Sequence, residues 1–219
     1  MFKAKHFIDV HKCSNAVVVL GMIWHAGAWT NTTAWVYLAL HGSYGFLWAL
    51  KSRIFGDKQW EQPMGVPMGV ATWGVLSLYW VAPYLITARG TEAPPWFLAL
   101  AVGAYAFGIF LHFASDMQKH LWLARPRPEL LMTGLWSRTR NPNYLGELLI
   151  YVSFTSLALH WLPLTLLAGV IAVVWVPNML KKDRSLARYP EFETYRARSG
   201  LLFPRILPVR PSRRAGPRR

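Results

Sequence analysis

Ten residues, Arg138-Thr139-Arg140-Asn141-Pro142-Asn143-Tyr144-Leu145-Gly146-Glu147, hold the densest set of chemically useful groups in an otherwise apolar chain. They read as a loop that turns into a helix. Asn141 suits the N-cap, and Pro142 falls at the first helical position, where its missing N–H costs nothing. Asn143 and Glu147 are four apart, so they project from one face, and Tyr151 continues that stripe. Gly146 beside them would let a ligand approach the backbone. Arg138 and Arg140 precede the helix start, where a phosphate would meet both side-chain charge and free backbone N–H groups. A carboxylate just inside a helix that runs apolar from Leu148 to Leu159 is costly in lipid and points to function. The plainer alternative is an interfacial helix start whose polar residues sit among headgroups.

Two more polar clusters accompany it. His112, Asp116 and His120 recur at a spacing of four with Lys119 beside them, a polar stripe on one helix face. Lys181, Lys182, Asp183 and Arg184 follow the last apolar run. The His112/Asp116/His120 spacing would also suit metal ligands on a helix, but no second pair accompanies it, and no metal is expected. There is no glycine-rich dinucleotide fingerprint, no Walker loop and no Gly-x-Ser-x-Gly elbow. A single cysteine, Cys13, excludes an internal disulfide or a multi-cysteine metal site.

The elements that must carry these groups are helices in a bilayer. With 53% hydrophobic residues, 16% charged and 12 Trp, the composition suits a membrane protein rather than a soluble one. Residues 1–15 read as an amphipathic interfacial segment, with no cleaved signal peptide. Candidate spans run from Ala16 to Thr30, Trp35 to Leu50, Val70 to Ile86 with a kink at Pro83, and Trp96 to Ala114. The fourth helix has no breaker before Pro126 and should emerge from lipid carrying the 112–120 stripe. Helix 142–160 and an apolar run from Pro163 to Met179 follow. Pro190 can open a last short helix that Gly200 ends, and its Tyr189, Phe192 and Tyr195 recur as packing residues. The expected fold is an all-α, polytopic membrane bundle of six to seven transmembrane helices.

The net charge of +14 sits in loops and in the arginine-rich stretch from Arg205 to Arg219. In a membrane protein that marks the cytoplasmic side and an affinity for anionic lipid, not nucleic acid. The same rule puts the clusters at 112–120, 138–147 and 178–198 at one membrane face, a pocket for an anionic, nucleotide-like cofactor above an apolar cavity.

Ser115-Asp116-x-Gln118-Lys119, then Gly134-Leu135-Trp136, then Arg140-Asn141-Pro142-Asn143-Tyr144-Leu145-Gly146-Glu147, and Tyr195 near Phe203-Pro204, resemble the steroid 5-alpha-reductase family and its sterol C14/C7 reductase relatives. The similarity covers His112 to Pro208. It implies NADPH bound by Asp116, Asn143 and Glu147, with Lys119, Arg138, Arg140, Tyr144, Lys182 and Tyr195 completing the cofactor set. It implies an enone lipid whose carbonyl is held by Glu61 and by Tyr79 or Tyr84, Glu61 being protonated so that it can donate. The chain departs from the family in a shorter stretch between Glu61 and Arg89, and in His120 and Leu123 where arginines would be expected.

The resulting expectation is one membrane-embedded reductase domain over 1–208 and a basic, disordered cytoplasmic tail over 209–219. The activity would be NADPH-dependent reduction of the 4,5 double bond of a 3-oxo-4-ene steroid or similar enone lipid. The protein would be a monomer in a bacterial inner membrane, with its C-terminus cytoplasmic. A weaker resemblance, to isoprenylcysteine carboxyl methyltransferases, implies the alternative of an S-adenosylmethionine-dependent membrane methyltransferase. Against it, Asn141 stands where that family has histidine, and Asp183 stands alone in place of a late acidic pair.

Overall fold

The computed structural model describes residues 1–126 and 129–206, all helix, turn and loop with no strand among them. The expected tail at 209–219, and the last two residues of the expected reductase domain, lie outside the described residues. Among the described residues nine α-helices follow in order: α1 (Ala4–His25), α2 (Thr32–Phe55), α3 (Val66–Ser77), α4 (Val81–Arg89), α5 (Pro95–Leu123), α6 (Pro142–Thr155), α7 (Trp161–Val170), α8 (Val176–Leu186) and α9 (Phe192–Arg198). Four helical stretches are long and apolar enough to cross a membrane: α1, α3 with α4, α5, and α7 with α8. Large apolar side chains such as Val17, Trp24, Phe107, Phe110 and Val173 point outward. A soluble protein rarely exposes so much apolar surface. The chain is an integral membrane protein.

The N-terminal reading needs correction. Residues 1–15 do not lie apart at the interface, because no breaker interrupts Ala4 to His25 and the first helix starts at Ala4. Within that stretch it buries His11, Lys12 and Asn15. The short span expected from Ala16 is therefore the second half of a 22-residue helix.

Two prolines shape the interior. Pro83 lacks the N–H that would bond to the carbonyl of Tyr79, so the third span breaks there, at a 3-10 turn over Leu78–Trp80, slightly upstream of the expected kink. The freed Tyr79 carbonyl accepts the hydroxyl of Tyr37 at 3.1 Å. Pro177 likewise follows a π-turn at Ile171–Trp175, which sets the Trp175 ring against Tyr144 at 5.3 Å between centroids.

Helix pairs α1/α2 and α5/α6 form the two closest packings, each through glycine. A Cβ at Gly45 would fall within 2.9 Å of the Lys12 carbonyl carbon, and one at Gly146 within 2.8 Å of the His112 Cα. What approaches the backbone at Gly146 is thus helix α5 rather than a ligand.

The loop 138–141 is tied to the C-terminal segment. The Arg140 N–H donates to the Gly200 carbonyl at 2.9 Å, and those of Gly200 and Arg205 donate to the Arg138 carbonyl at 3.0 and 2.9 Å. Asn141 does not cap α6 with its side chain. Its backbone sits at φ −140°, ψ 59°, and its amide instead donates to the Leu201 carbonyl at 2.8 Å. Pro142 does open the helix. Short α9 starts at Phe192 rather than Pro190, and Phe192 and Tyr195 pack with Leu130 as the expected aromatic anchors.

Candidate functional site

A cavity of about 910 Å³ runs through the bundle, at the upper end of the range for ligand pockets. Helix α6 provides its axis. Asn143, Glu147 and Tyr151 all line it, one turn apart, so Tyr151 lies roughly 12 Å deeper than Asn143 at 1.5 Å per residue. Asp116, Asn143 and Glu147, drawn from two helices, share this one hollow. Lys119, Arg140, Tyr144, Lys182 and Tyr195 line it too, as does Tyr79.

Its polar end is built on ion pairs. Lys51 and Asp116, both buried, are in direct contact, and Lys119 reaches Asp57 at 2.6 Å and Asp116 at 3.7 Å. The last distance is an ion pair without a hydrogen bond, so Asp116 Oδ1 stays without a donor. Asn143 Oδ1 is in the same position. His112 sits between α2 and α6: its Nδ1–H donates to the Asn143 carbonyl at 3.1 Å, which leaves Nε2 to accept from Lys51 at 3.4 Å. Among the described residues no three His, Cys, Asp or Glu side chains cluster as metal ligands would.

Deeper, the Tyr44 hydroxyl donates to Glu147 Oε1 at 3.1 Å, and Lys12 donates to the Tyr151 hydroxyl at 2.8 Å. Tyr79 stacks on Tyr151 with centroids 4.4 Å apart. A buried chain holds Tyr79 there. The Trp80 indole donates to Asn15, the Asn15 amide to His41, and His41 Nδ1–H to Tyr37, all within 2.9 Å. Tyr37 in turn holds the Tyr79 carbonyl. The far wall, with Met68, Val75 and Val174, is apolar, and these same residues are exposed on the lipid-facing surface.

Several of the expected residues also have partners within the fold. The Arg140 Nε donates to both oxygens of Asp183 at 3.1 and 2.9 Å, and Nη1 donates to the Ser199 carbonyl at 2.7 Å. The Tyr195 hydroxyl donates to the Trp136 carbonyl at 2.6 Å. Both residues therefore buttress the wall. Arg138 is exposed and does not line the cavity. Nor does Tyr84, which faces outward from α4.

Glu61 is the clearest correction. It receives Lys3 at 2.8 Å and Lys5 at 2.5 Å. Those hydrogen bonds, Lys3 first, pull its carboxyl from 4.5 down to about 2. An ionised, ion-paired carboxylate cannot donate to a carbonyl, and it lies outside the large cavity. A depressed folded pKa stabilises above the unfolded value, and that contribution disappears as pH falls from 4.5 through about 2. Trp60 fluorescence should register the release of the N-terminus over that window, and Glu61→Gln should remove the step.

Lys12, Lys51 and Tyr44 escaped the sequence reading. Lys12 fell in the segment read as interfacial, and Lys51 fell just past the end of the second candidate span. The available signal was the unbroken helical run around each, which places both inside the bundle.

An all-helical membrane protein with a polar-to-apolar cavity is the class these features define. The family model described as a protein of unknown function (DUF1295) matches residues 68–199, more than half of the chain. The chain belongs to that family. No curated protein and no solved structure matches it.

Proposed function

We propose that the protein is a membrane-embedded reductase that uses NADPH to saturate the 4,5 double bond of a 3-oxo-4-ene steroid or similar enone lipid. The observation that carries this reading is the α6 ladder, Asn143, Glu147 and Tyr151, descending one cavity from a charged mouth to an apolar wall at the lipid. A resident dinucleotide fits the groups present. The undonated oxygens of Asp116 and Asn143 would take amide and hydroxyl donors. Lys181, Lys182 and Arg188 line the mouth and would take phosphates.

When bound, NADPH supplies the hydride. The chain's own residues do the rest. Asn143 and Glu147 would hold the nicotinamide amide and so orient the cofactor. The ion-paired wall of Lys51, Asp116 and Lys119 gives the charged end a rigid frame. Of the expected carbonyl pair Tyr79 remains in the cavity wall, and a phenol hydroxyl at that level stabilises the charge that develops on the carbonyl oxygen. The apolar wall at Met68, Val75 and Val174 accepts the hydrocarbon body directly from lipid.

The topology that goes with this reading has six spans, α2 and α6 completing the four above. The basic loops and the C-terminus lie on the cytoplasmic side, where NADPH is available. Against the methyltransferase alternative stands Asp183, which Arg140 engages and which does not line the cavity.

Ligand stabilisation tests the choice. Purified protein should be stabilised by NADPH, by about 2.7 kcal/mol at a hundred times the dissociation constant, and not by S-adenosylmethionine. Stabilisation by S-adenosylmethionine alone would overturn the reading in favour of methyl transfer.

A further inference from the structure

We infer that Tyr151, with Lys12 held against its hydroxyl, is the acid that protonates the substrate carbonyl. The inference rests on the enone-reductase reading and adds two residues to that site.

Three observations carry it. First, Lys12 is a lysine at membrane depth, buried on α1, and such a residue is rare without a task. Its Nζ lies over the rings of Tyr44 at 4.3 Å and Trp48 at 4.2 Å, a geometry that holds a cation. Second, its hydrogen bond runs to the Tyr151 oxygen at 2.8 Å. That oxygen is thereby an acceptor from Lys12, and its own O–H is the group left to donate, with the Tyr44 and Tyr79 hydroxyls beside it. Third, Tyr151 lines the cavity between Glu147, on the cofactor side, and the apolar wall. A carbonyl at that junction would meet the Tyr151 hydroxyl.

The step balances. The β carbon of the enone receives hydride from the reduced nicotinamide. The double-bond pair shifts to join the α carbon to the carbonyl carbon, and the carbonyl pair moves to oxygen. That oxygen takes the Tyr151 proton, and the phenolate stays beside Lys12. The resulting enol returns its O–H proton to Tyr151 as the α carbon takes a proton from water. The net change is one hydride and one proton added to the double bond.

Tyr79, stacked against Tyr151, is the competing donor, and the experiment separates the two. A 3-oxo-4-ene steroid carrying ¹³C at the carbonyl is bound to the protein with NADP⁺, which cannot reduce it, and the carbonyl stretch is read by isotope-edited infrared spectroscopy. The wild type should lower the frequency relative to an apolar solvent. Tyr151→Phe should remove most of that shift, Lys12→Gln part of it and Tyr79→Phe less. In turnover assays Tyr151→Phe should be about a hundredfold slower, with stabilisation by NADPH retained. Should the phenylalanine variant lose that stabilisation, Lys12→Gln still reads the shift with the phenol in place.

An unshifted frequency and rate in Tyr151→Phe, with Tyr79→Phe taking the loss instead, overturn the assignment and leave the reductase reading intact. A wild type that neither binds the steroid nor oxidises NADPH with it overturns both.

Discussion

Lys51→Met should destabilise the folded protein by about 3–5 kcal/mol, because it strips a buried carboxylate of its closest cation. Asp116 is nearly sealed from solvent, and its other cation, Lys119, stands 3.7 Å away and is shared with Asp57. Without Lys51 the carboxylate must be desolvated alone or take up a proton. The damage should also reach α6, since Lys51 donates to His112 and His112 donates to the Asn143 carbonyl. Thermal melts in detergent, followed by tryptophan fluorescence, would measure the loss. The double variant Lys51→Met/Asp116→Leu should recover most of it, since an apolar pair of similar volume often replaces a buried ion pair at little cost. It should stay inactive, because Asp116 Oδ1 would no longer be there for the cofactor. A single variant as stable as the wild type would mean that the pair is not the frame of the polar end.

The second large effect concerns Glu147. Glu147→Ala should lower kcat/KM for NADPH-dependent enone reduction about a hundredfold or more, the scale of loss when a reacting group is no longer positioned. The fold should survive. Glu147 is half-buried at the cavity wall and accepts a hydrogen bond from the Tyr44 hydroxyl. Leaving that hydroxyl without a partner costs about 1–3 kcal/mol. Steady-state kinetics together with a thermal melt separate the two effects. Wild-type kinetics in the alanine variant would remove Glu147 from the site.

The helical class, the continuation of α5 past the lipid, the helix start at Pro142 and the shared stripe of Asn143, Glu147 and Tyr151 could all be read from the chain. Each follows from local rules: apolar run length, the absence of a breaker, a proline at the first helical position and a period of 3.6 residues. The pairing of α1 with α2 and of α5 with α6 could not be read, because it depends on which glycines meet which backbones. The partners of the cations were equally illegible. Arg140 precedes a helix and Lys12 lies within one. Only packing decides that Arg140 spends its guanidinium on Asp183 and Ser199, while Lys12 is carried beside Tyr151. Glu61 shows the same limit: its charge state depends on Lys3 and Lys5, more than fifty residues away in sequence, and no local pattern records which partners tertiary folding brings within 3 Å.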